Sequence, residues 1–112
     1  MACFRIDAQV FDRLPEALFG AVVAKGIDNQ TPQPRIAQRL EEGIAAIRSR
    51  IGDQNLKEYP AVLPYREAFQ TLGINPNKFP SSIEALSKRV LKGNPLPAIN
   101  PIVDIGNAMS LT

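Results

Sequence analysis

The sequence predicts an α+β domain, and three observations carry that expectation. Residues Cys3–Phe11 alternate, with Phe4, Ile6, Ala8 and Val10 on one side and Arg5, Asp7 and Gln9 on the other. Side chains of a strand point alternately to opposite faces, so this pattern predicts a half-buried strand. Leu18–Ala24 is a continuous apolar run with β-branched members, the signature of a strand buried on both faces. From Thr31 onward, apolar residues recur at spacings of three and four, the spacing of helices.

Taken in order, Asp12–Pro15 predicts a turn after the first strand, and Lys25–Asn29 a loop after the second. Thr31-Pro32 then starts a helix that reaches Ile51, with Ile36, Leu40, Ile44, Ile47 and Ile51 forming its core stripe. Arg35, Arg39, Glu42 and Arg50 fall mainly outside that stripe and read as a solvated face, with an RNA surface as the sharper alternative. Gly52 ends the helix, since glycine readily adopts the left-handed conformation past a C-terminus.

A second helix is expected over Ala61–Leu72, with Pro64 in its first turn, Leu63, Phe69 and Leu72 toward a core, and Gly73 as its stop. Ser81 followed three residues later by Glu84 is a capping box, in which two backbone donors are satisfied reciprocally. The helix it opens runs to Lys92, with Ile83, Leu86 and Val90 inward. Lys88, Arg89 and Lys92 complement the dipole at its end. The last helix opens on Asn100 as N-cap and Pro101 at the first helical position, where a missing N–H costs no bond. Two strands cannot cover four such helices, and an isolated strand pair is marginal in water. The 112 residues therefore read as a single, incomplete domain of a larger α+β layer structure.

Composition bounds the chemistry. A net charge of +2, with 45% hydrophobic and 21% charged residues, suits a soluble globular chain and does not by itself argue nucleic-acid binding. One cysteine, Cys3, excludes an intramolecular disulfide and fits a reducing cytoplasm. No apolar run approaches the roughly 18 residues needed to span a membrane, and no secretory signal is visible. The absence of histidine excludes His-based triads and His-ligated metal sites within this polypeptide, and a single cysteine cannot build a zinc cluster. Neither a metal nor a cofactor is expected.

The last helix carries the most pointed feature. Asp104, Asn107 and Ser110, three residues apart, make a polar stripe along an otherwise apolar segment. That stripe reads either as a solvent-facing or hydrogen-bonded structural seam or as the wall of a binding pocket.

Four segments, in order, resemble a known family. They are Gly20–Asn29, then Tyr65–Phe69 with Gly73, then Ser81–Leu86 with Arg89–Gly93, and most specifically Leu96–Asn107. Together they are similar to the editing, or tRNA-binding, domain of the phenylalanyl-tRNA synthetase beta subunit, and more closely to freestanding proteins built from that domain alone. The resemblance implies a three-layer α+β fold containing a β-sandwich of unusual topology. It also implies hydrolysis of the ester that joins a mistaken tyrosine to phenylalanine tRNA. The asparagine of the family's Val-Asp-x-x-Asn pattern lies in the editing pocket and matches Asn107. The residue before it is a threonine in the synthetase and Gly106 here, which removes a hydroxyl from the pocket. The family's remaining pocket residues, a histidine and a glutamate among them, come from a later portion with no match in this sequence. The expectation is that the rest is a separate polypeptide, was lost by cleavage or truncation, or is replaced by a second copy.

On this reading Asn107 orients a water for ester hydrolysis, because a carboxamide both donates and accepts. It cannot act as a general base, so the substrate's ribose hydroxyl would assist. Its bland alternative is an amide capping neighbouring backbone. Arg66, Gly106, Asn107 and Ser110 are the expected substrate-binding residues. Arg66 would clamp a terminal tRNA phosphate or the surroundings of the amino acid, or else form a buried pair with Glu84 that holds two helices together. Three functions follow: a hydrolase editing mischarged tRNA in trans, a non-catalytic module binding tRNA or an amino acid, and a half-domain serving as an interaction protein.

Overall fold

A computed structural model describes residues 3–112 as an all-helical chain. Its elements are α1 (Ala8–Arg13), α2 (Pro34–Ile51), a 3-10 turn (Leu56–Glu58), α3 (Leu63–Thr71), α4 (Ser82–Leu91) and α5 (Pro101–Leu111). No strand occurs among the described residues, which overturns the α+β expectation and, with it, the β-sandwich.

The two expected strands failed for different reasons, the first local and the second for want of a neighbour. In Cys3–Phe11 the Asp7 carboxylate accepts from the Gln9 amide at 2.9 Å and caps α1, so the alternating pattern breaks into a helix at Ala8. Leu18–Ala24 has no regular structure. A strand exists only through hydrogen bonds to a neighbour, and none is available: the backbone of residues 18–24 makes no hydrogen bond among the described residues. Leu18 and Val22 are 97% and 96% exposed, the reverse of a strand buried on both faces.

The helices follow the sequence more closely. α2 begins at Pro34 rather than Thr31, because Asp28 and the prolines organise the approach. The Asp28 carboxylate accepts from the amides of Gln30 and Thr31 at 2.9 and 3.1 Å. The Thr31 side chain and these amides hold the Asp28 carboxyl below its usual range. Gln33 precedes Pro34 and is therefore pushed into extended backbone, outside the helix. Gly52 (φ 53°) ends α2 as expected. α3 is shorter than predicted and shifted in register. Val62, just before it, is fully buried, whereas Leu63 is exposed. Phe69 and Leu72 are half-buried.

The core lies where α2, α4 and α5 meet. Leu40, Ile47 and Ile51 of α2 pack with Val90 of α4 and Ala108 and Leu111 of α5, and Leu56 and Tyr59 close one side. α2 and α5 pack closely at Gly43, where an added Cβ would sit 3.0 Å from the Ala108 carbonyl oxygen and 3.1 Å from the Leu111 Cβ. Two polar clips fix α5 at its start. Asn100 accepts from the Val103 amide at 2.9 Å, and Asn29, far away in sequence, accepts from the Ile102 amide at 2.8 Å. At its other end Arg50 donates to the Thr112 carbonyl.

The chain is flat, measuring 46 × 42 × 20 Å. Its radius of gyration of 15.9 Å exceeds the about 13 Å of a fully packed domain this long. The helical core is genuine but thin, and much apolar surface lies outside it. No helix among the described residues is long and apolar enough to cross a membrane.

Candidate functional site

α5 is a ridge with a groove along each flank. On one flank a cleft of about 350 Å³ lies between α4 and α5 and is roofed by the Leu96–Ile99 segment. This is the scale of a small-ligand pocket. Ser82, Ala85, Leu86 and Arg89 line it from one stripe of α4, and Asn107 and Ser110 face them from α5. The spacing that puts four residues on one helical face thus builds one wall, and a three-residue step on α5 builds the other.

Polar groups of the cleft are few and separately placed. Asn107 is half-buried, and its carboxamide has no hydrogen-bond partner among the described residues. Its expected neighbour Ser110 donates to the Gly106 carbonyl at 2.9 Å, which spends its hydroxyl proton and leaves its oxygen free to accept. Arg89 donates through Nε to the Pro95 carbonyl at 3.0 Å. That bond ties the roof segment to α4 and leaves the terminal guanidinium nitrogens free. Asp104, the first member of the polar stripe, faces elsewhere and accepts from the Ile99 amide at 3.0 Å.

Arg89 also borders a second groove of about 280 Å³, lined by Lys88, Lys92, Asn94, Asn77 and Glu84. Its acid is already neutralised. Arg66 Nη1 meets both Glu84 oxygens at 2.8 and 2.9 Å, with side chains only 11% and 8% exposed, and Nη2 donates to Asn77. Lys88, Arg89 and Lys92 remain as exposed cations, free of ion pairs among the described residues.

Of the residues expected from sequence, Asn107 and Ser110 lie together in the cleft. Gly106 is exposed on the α5 ridge and does not line it, and Arg66 is committed to the Glu84 pair. The capping box forms by half. Ser81 Oγ accepts from the Glu84 amide at 3.4 Å, but the Glu84 carboxylate turns to Arg66 instead of returning to the backbone. Sequence reasoning missed Ser82 and Arg89 as cleft residues. Their spacing of seven puts both on one face of α4, but only the packing of α5 beside that face makes it a wall.

Chemically, the cleft can bind and orient. Its apolar walls suit a side chain, the Asn107 carboxamide can donate and accept, and Arg89 offers a cation at the mouth. No carboxylate, lysine or histidine lines it, so its own side chains provide no proton acceptor. No protein-family model, curated protein or solved structure matches this chain.

Proposed function

We propose that the chain is a binding module for the aminoacylated end of a tRNA. The observation that carries this reading is the shared position of Arg89, on the border between the apolar cleft of Asn107 and the groove of Lys88 and Lys92. An aminoacylated RNA end has the same two-part character, an amino-acid side chain beside a chain of phosphates. Exposed cations attract phosphates through counterion release, and a small apolar cleft beside them takes the amino acid. The exposed thiol of Cys3 fits a reducing compartment, and the cytoplasm is the compartment we assign.

Editing in trans is the second reading, and the unpartnered Asn107 carboxamide favours it. In hydrolysis of the ester, the substrate's neighbouring ribose hydroxyl would relay the proton of the attacking water to the leaving ester oxygen, or a second chain that completes the cleft would supply a base.

The test measures anisotropy of labelled tRNA, charged and uncharged, over a salt series, beside an assay for released amino acid. With three cations engaged, binding falls with salt at a log–log slope of about −2. Replacing Lys88, Arg89 and Lys92 by alanine abolishes that slope, and Asn107→Ala removes the preference for charged over uncharged tRNA. Binding without ester release supports the module, and ester release lost in Asn107→Ala supports editing. Absence of any salt-sensitive tRNA binding would sink both.

A further inference from the structure

A second cavity, of about 450 Å³, shares Leu96 and Ile99 with the cleft but lies between α2 and the start of α5, and the tRNA reading leaves it unused. Its volume is within the range of small-molecule sites. Ile36, Leu40 and Ile44 recur along one stripe of α2 and supply an apolar wall, and Leu96 and Ile99 add to it. The loop before α2 contributes Gln30, and α5 contributes Pro101 and Asp104. Two hydrogen bonds hold these segments in place. Asn29 accepts from the Ile102 amide at 2.8 Å, which joins the loop to α5 next to Gln30 and Pro101. One oxygen of Asp104 accepts from the Ile99 amide at 3.0 Å, which joins the Leu96–Ile99 segment to α5. A site held together in this way is already arranged before a ligand arrives.

The charges of this cavity are of one sign. Glu41 and Asp104 line it, and no lysine or arginine does. Neither carboxylate has a counter-charge on its own helix. The positions three and four residues away are Ala37, Gln38, Ile44 and Ala45 for Glu41, and Asn100, Pro101, Asn107 and Ala108 for Asp104. Neither makes an ion pair among the described residues, and the second Asp104 oxygen makes no hydrogen bond there. The other charged groups on the packed elements are engaged or placed elsewhere. Asp28 holds the amides of Gln30 and Thr31, and so adds negative charge beside the rim. Glu42 accepts from Gln38 and does not line the cavity. Arg35 and Arg39 line a separate groove with Ile105 and Met109. Arg48 donates to the Val90 carbonyl and Arg89 to the Pro95 carbonyl. Carboxylates only accept, so the ligand must donate. Asp104 is half-buried, where attraction between charges is screened less than in open water. We propose that this cavity binds a small organic ammonium ion, with its apolar body against Ile36, Leu40 and Ile44 and its N–H groups on Glu41 and Asp104.

The probe is phenylpropylammonium, beside its neutral analogue phenylpropanol, the anion phenylpropanoate, and methylammonium as a cation without the apolar body. Methyl NMR of the full chain follows each titration at neutral pH and constant ionic strength. Phenylpropylammonium is expected to give saturable shifts at the methyls of Ile36, Leu40 and Ile44. It should bind about tenfold or more tightly than phenylpropanol or methylammonium, and phenylpropanoate should not bind. The double variant Glu41→Gln with Asp104→Asn keeps an acceptor for the Ile99 amide and should lose the preference for ammonium over alcohol. Glu41→Gln alone, at an exposed position, should weaken the ammonium about threefold or more, and circular dichroism checks that both variants keep their helices. Four results would overturn the proposal: equal binding of ammonium and alcohol, no saturable shift, shifts centred on Leu86 of the cleft or Met109 of the neighbouring groove, or a preference that survives both substitutions. Each would leave the tRNA reading standing, since that reading rests on Arg89 and Asn107.

Discussion

α5 and the Leu18–Ala24 run are both strongly apolar, yet one helps to form the core and the other lies exposed outside it. The difference lies in the backbone. α5 satisfies its own N–H and C=O groups through helical bonds, starts on an Asn100 cap and a compatible Pro101, and so can lay one flank against Gly43. Leu18–Ala24 has no cap, is interrupted by Gly20, and as a strand would depend on a second backbone. Hydrophobicity supplies a reason to be buried, but burial follows only where backbone polar groups are satisfied as well. This contrast bears on function, because it leaves apolar surface for partners beside a small completed core.

The contrast can be challenged by mutation, beginning with the seam. Ile47 is 1% exposed at the centre of the core, and Ile47→Ala should cost about 2–5 kcal/mol by urea unfolding. Glu84→Ala should cost about 2–4 kcal/mol, because it leaves the Arg66 guanidinium nearly buried without its counter-charge. A double-mutant cycle on Arg66 and Glu84 with a coupling above about 1 kcal/mol would fix the pair as structural. Gly43→Val should cost about 1–3 kcal/mol, since the new side chain meets the α5 backbone and the base of Leu111 rather than a flexible side-chain tip.

At the other end of the comparison, Val22→Asp should change stability by no more than about 0.5 kcal/mol. A large loss there would mean that the run is buried in solution and would break the contrast outright. The smallest effect concerns the loop before α2. The lowered Asp28 pKa means that its carboxylate favours the folded loop. That contribution is complete above the ordinary carboxylate range and fades as pH falls through the lower folded value. The Asp28 carboxyl carbon, followed by NMR during acid titration, should titrate below an unstructured aspartate.

Helices were legible in this sequence to the extent that they are locally specified. Asn100-Pro101 placed the start of α5, Ser81 the start of α4, and Gly52, Gly73 and Gly93 the stops, each taking positive φ in the structure. The core stripe of α2 was legible too, because Leu40, Ile47 and Ile51 are apolar at one helical spacing. Asn107 and Ser110 were marked by polarity on an apolar helix, and the fold brings both into one cleft. Arg89 and Ser82 were not, since their role depends on which face of α4 meets α5.

Sequence alone determined where α4 and α5 begin, where α2 stops, which face of α2 is apolar, and that histidine chemistry is excluded within the chain. Those are matters of caps, spacing and side-chain inventory, all settled within a few residues. Tertiary structure alone decided that Leu18–Ala24 pairs with nothing, that Glu84 serves Arg66 rather than its own cap, and that α5 separates the cleft of Asn107 from a groove bordered by Arg35 and Arg39. Each of these depends on what a distant segment presents, and a strand, an ion pair or a groove exists only when both of its sides are in place.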